Sequence, residues 1–157
     1  MDIEEFMDRV RMHFGYLFDD YGFVVEQPHC YGLFGNCTVT AKAENYGITI
    51  SRDKSQVFVD IVAPLFQDRV FALTTLVGYI MHKEGQNWDP LQGDGVYSVP
   101  EQQQWEQFGK LLREHILSIQ QLLRQDSFAD DGEALSSFVT TCTAERIKRL
   151  SLGRRTG

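Results

Sequence analysis

His29, Cys30 and Cys37 fall within the ten residues PHCYGLFGNC, three side chains able to ligate a borderline metal such as zinc. Structural zinc sites usually present such ligands as closely spaced pairs on two arms, and this stretch does not. Cys30 adjoins His29, so an extended chain points the two to opposite faces, and Cys142 could join only from a distant element. The spacing therefore predicts no metal and no cofactor. The stretch reads instead as a wide connection between two strands, with Gly32, Gly35 and Asn36 permitting the turn and Cys37 a small apolar residue at a strand start.

The other chemistry-bearing residues are no better assembled. His13 borders the apolar face of a first helix, His82 ends a buried helix, and His115 lies beside Ile116; none has a nearby partner of the kind a general base needs. No nucleophile elbow, phosphate-binding loop, dinucleotide fingerprint or zinc-protease motif occurs. Asn87, Asp89 and Asp94 are calcium-ligand types without the alternating spacing of a calcium loop, and read as turn residues. Arg52, Asp53 and Lys54 read as a solvated hairpin tip. The balance is against catalysis.

Charge narrows the partners. The net charge of −7 repels a phosphate backbone, which makes nucleic acid an unfavoured ligand. Five bases cluster in RIKRLSLGRR, where cations suit the end of a helix followed by a short tail. The acidic N-terminus MDIEEFMDRV does not resemble a secretory signal, and no apolar run approaches the ~20 residues of a membrane helix. The expectation is a cytoplasmic protein away from membranes, with Cys30, Cys37 and Cys142 as reduced thiols.

Ile3, Phe6, Met7, Val10, Phe14, Leu17, Phe18 and Tyr21 recur every three or four residues and predict one amphipathic helix over about 2–20. From Phe23 to Ile61 the period becomes 2. FVVEQ, NCTVTAKA, YGITISR and QVFVDIV predict a four-stranded antiparallel meander, with Val59 and Ile61 facing the core. Pro64 is expected to end the sheet, and DRVFALTTLVGYIMHK to follow as a buried helix. Ser98 and Glu101 have the spacing of a capping box before a long helix through residue 125, and a last helix follows DSFADDG.

Residues 84–99 show neither period, and connections of that length are uncommon unless functional. They are expected to form the partner-facing surface: Trp88 as its anchor, with Asp89, Asp94 and Tyr97.

The order of a helix, the Tyr21-Gly22-Phe23 step, a meander containing ITISRDKSQVFVDI and then helices resembles small uncharacterised bacterial α+β proteins, some of them immunity proteins. The likeness covers residues 14–62. It implies a protein that works by binding another protein, and an acidic surface suits a cationic partner such as a basic toxin.

The sequence thus predicts one α+β domain over 1–150: a helix, a four-stranded antiparallel sheet, and about three helices packed on one face. Residues 151–157 are expected as a flexible basic tail. The expected role is protein binding without catalysis. The alternatives are a small enzyme or ligand-binding protein with a pocket between sheet and helices, and a homo-oligomer joined through apolar helix faces.

Overall fold

The expected first helix forms, but in two pieces. Helix α1 (Ile3–Phe14) is capped by Asp2, whose side chain accepts the Glu5 N–H at 2.9 Å, and it buries Phe6, Met7, Val10 and Phe14. Gly15 then separates it from the single-turn α2 (Tyr16–Asp19). The computed structural model describes residues 1–66, 68–87 and 92–156, without the side chains of residues 65, 92–94, 125–130 and 154–156.

The sheet is antiparallel throughout, as expected, but has six strands rather than four: β1 (Val24–Val25), β2 (His29–Tyr31), β3 (Asn36–Lys42), β4 (Gly47–Asp53), β5 (Gln56–Ala63) and β6 (Arg69–Ala72). Their order is β1-β3-β4-β5-β6, with β2 also paired to β3. Two differences account for the extra strands. The stretch read as a wide turn is itself a hairpin, because β1 and β2 are two halves of one edge strand interrupted at residues 26–28, where Pro28 cannot donate to a ladder. Pro64 does not end the sheet either. The chain turns through a 3-10 segment (Pro64–Phe66) and returns as β6, whose Arg69-Val70-Phe71 suits a strand better than the helix expected there.

Alternation then sets the two faces. Val39 and Ala41, Ile48 and Ile50, and Val57, Val59, Ile61 and Ala63 are buried on one of them. Helices α1, α3 (Leu73–Lys83) and α4 (Glu101–Leu122) cover that face, and Trp105 of α4 is fully buried with its ring edge-on to Phe6 and Phe14. Because β6 is short, the first half of β5 has no strand beyond it. The buried Gln104 fills that place: its amide oxygen accepts the Val57 N–H at 2.9 Å, and its amide nitrogen donates to the Val99 carbonyl at 2.9 Å.

The expected capping box is absent. Pro100 takes the N-cap position of α4, Ser98 donates to the Gly95 carbonyl, and Glu101 pairs elsewhere. The last helix, α5 (Gln125–Thr156), starts earlier than expected and runs on through 151–156, the residues expected as a tail. Its buried Asp131 accepts from the Tyr79 hydroxyl at 3.0 Å and from Lys83 at 2.7 Å, which fastens α5 to α3.

Candidate interaction surface

The β2–β3 hairpin carries the most unusual side chains of the described surface. Its turn runs through Gly32, Leu33, Phe34 and Gly35; both glycines take positive φ, +77° and +64°, which a side chain would resist. Leu33 is 99% exposed and Phe34 68%, with Tyr31 also exposed beside them. Soluble chains expose single apolar residues often, but here three in four consecutive positions are large, apolar and exposed.

Two devices hold this tip. Cys30 and Cys37 face each other across the β2–β3 ladder and are joined as a disulfide, with Cα atoms 4.0 Å apart. That corrects the expectation of three reduced thiols, since two of the three are bridged to each other. The pairing cannot be read from spacing, because it follows from β2, whose residues read as a turn in the sequence alone. Arg52, opposite Cys37 on β4, supplies the second device. Its Nη1 donates to the carbonyls of Phe34 at 3.0 Å and Gly35 at 2.8 Å. Nη2 donates to Ser55 and to Glu101 Oε2, and Nε to Glu101 Oε1 at 2.6 Å. All five guanidinium N–H groups are used. Burial opposes the charge on Glu101, but the hydrogen bonds and charge of Arg52 outweigh it and hold the carboxyl below its ordinary value.

The second part of the surface is the sheet face opposite the helices. Thr38, Thr40, Thr49 and Ser51 lie there, joined as Thr38–Ser51 at 2.9 Å and Thr40–Thr49 at 3.0 Å. Phe58 and Asp60 of β5 share that face, and burial raises the Asp60 carboxyl above its ordinary value. Where β1 and β2 part, a notch of about 320 Å³ opens, lined by Glu26, Gln27, His29, Thr38, Val39 and Thr40.

Of the residues expected at a partner surface, Trp88 and Asp89 lie outside the described residues, as does the side chain of Asp94. Tyr97 is half-buried in a 3-10 segment (Gln92–Ser98), and its ring reaches Phe58 at 5.4 Å and Phe108 at 6.0 Å. It therefore packs around the open edge of β5, bridging the sheet to α4. The structure does not bring the histidines together: His13 stacks on Trp105, His82 lies against Phe138, and His115 bonds its own helix at the Leu111 carbonyl. Among the described residues no three His, Cys, Asp or Glu side chains are placed to hold a metal ion.

Two further concavities lie between helices. One, of about 540 Å³, runs between α1, α2 and α4 and is lined by charges of both signs, including Arg11, Asp19, Glu106 and Arg113. Another, of about 310 Å³, sits beside Lys83 and Asp131. Among the described residues, no helix is long and apolar enough to cross a membrane.

Sequence reasoning missed Leu33, Phe34 and Asp60. The signal for the first two was present, since two adjacent large apolar residues between glycines cannot both be covered by a turn. Comparison with known proteins adds no relative: no family model, no curated protein and no solved structure matches the chain.

Proposed function

We propose that the protein is a non-catalytic protein-binding module, immunity-like in action, that presents the Tyr31–Phe34 tip to an apolar cleft on a cationic partner. The observation that carries this reading is the near-complete exposure of Leu33 on a turn fixed by a disulfide and by Arg52. Burying a leucine or phenylalanine side chain is worth roughly 1.5–3 kcal/mol each, and a turn already held in place loses little entropy on binding. The net charge of −7 supports a basic partner, by speeding encounter and disfavouring acidic competitors. The expected cytoplasmic setting keeps most thiols reduced, whereas the Cys30–Cys37 bridge suits an oxidising one.

The test is affinity capture from the cells that make the protein, with the wild-type chain and a Leu33→Asp, Phe34→Asp double variant. Both side chains are in water, so the double variant should melt with the wild type. A stoichiometric basic protein retained by the wild type and lost by the variant is the expected result. Undiminished capture by the variant would remove the tip from the binding surface.

A further inference from the structure

Asp60 lies mid-strand on β5, opposite Thr49 of β4 and Ala72 of β6, on the sheet face away from the helices. Two positions earlier on the same face stands Phe58, its ring 5.4 Å from that of Tyr97. The Thr49 hydroxyl beside Asp60 is bonded to Thr40 at 3.0 Å, and the nearest same-face cation of the β3 strand, Lys42, is taken by Glu26 at 2.7 Å. Among the described residues Asp60 has neither a hydrogen bond nor an ion pair; burial alone acts on its carboxyl, and raises its pKa.

Everything local argues against an aspartate at this position. Aspartate is depleted in strands, and a half-buried carboxylate without a partner is a net cost that asparagine or threonine would avoid. A residue that breaks the local rules with no compensation inside the chain marks a place where compensation comes from outside.

We propose that Asp60 is the seat for an arginine side chain of the partner protein, with Phe58 and Thr49 as its flanks. A guanidinium matches this setting better than an ammonium: its planar fork can bond both carboxylate oxygens, its face can lie on the Phe58 ring, and an outer N–H can reach the Thr49 hydroxyl. The inference rests on the protein-binding reading and adds the chemistry of the partner's contact.

The probe is N-acetyl-arginine methylamide, titrated into the isotopically labelled full chain and followed by amide chemical shifts, with the norleucine and lysine analogues as controls. Saturable shifts converging on Thr49, Phe58 and Asp60 are expected, weakened about tenfold or more by Asp60→Asn and absent with norleucine. Asp60→Asn relieves a cost and should fold at least as well as the wild type, so its loss of binding reads recognition. Thr49→Val should weaken the arginine probe more than the lysine one. Shifts scattered over the surface, equal binding by Asp60→Asn, or equal binding of the lysine analogue would each overturn the assignment. Because the probe never touches the hairpin tip, failure here and failure of the tip variants in capture are separate results.

Discussion

Arg52 and Glu101 meet at 2.6 Å with their side chains only 11% and 23% exposed, joining the end of β4 to the first turn of α4. The same guanidinium holds the backbone of the Phe34–Gly35 turn, so one ion pair couples the core to the exposed tip. Removing one partner leaves a largely buried charge without compensation, and Glu101→Gln should cost about 2 kcal/mol at neutral pH. The sign of the pH dependence follows from the depressed carboxyl. Its contribution is present above 4.5, the ordinary value, and is lost as the pH falls through the lower folded value. Denaturant melts of the wild type and Glu101→Gln should converge on acidification. A gap that stays constant down to acid would show that the ion pair is not its source.

His13 titrates with the opposite charge but in the same direction of loss. Its Nε2 is buried with no hydrogen-bond partner among the described residues; burial, with the Arg9 charge adding, lowers its pKa from 6.5 against the opposing pull of Glu106. The unfolded chain therefore binds this proton more readily than the folded one, and stability should fall as the pH drops through 6.5 towards the folded value. In His13→Gln that loss should be absent. Midpoints compared at about pH 7.5 and about pH 5.5 measure it, and an equal drop in wild type and variant would assign the loss to other groups.

The β4–β5 turn offers a gain. Lys54 and Ser55 both take positive φ, 49° and 63°, the conformation of a type I′ hairpin in which glycine belongs at the second position. Ser55→Gly should stabilise by about 0.5–1 kcal/mol, less whatever the Arg52–Ser55 hydrogen bond at 3.2 Å contributes. Thermal unfolding checks it, and a lowered midpoint would show that the hydroxyl contact outweighs the backbone relief.

Much of this fold was written in periodicity. The apolar spacing from Phe6 to Phe14, the alternation from Ile48 to Ile61, and the stripe from Trp105 to Ile119 specify which residues face inward, because helix and strand geometry repeat with fixed periods; Ile3, at the start of the first stripe, stays exposed. Short or interrupted elements were not legible. β1, β2 and β6 span two to four residues each, too few for a period to emerge, and they exist because a neighbouring strand offers its open edge. The candidate surface depended on those elements. Cys30 meets Cys37 only once β2 pairs with β3, and Arg52 reaches Phe34 and Glu101 only once β4 lies between the hairpin and α4. Asp60 became conspicuous only when its cross-strand neighbours proved to be Thr49 and Ala72 rather than cations. Local sequence decides which way a side chain points; what it meets there is set by contacts between residues far apart in the chain, which tertiary packing alone brings together.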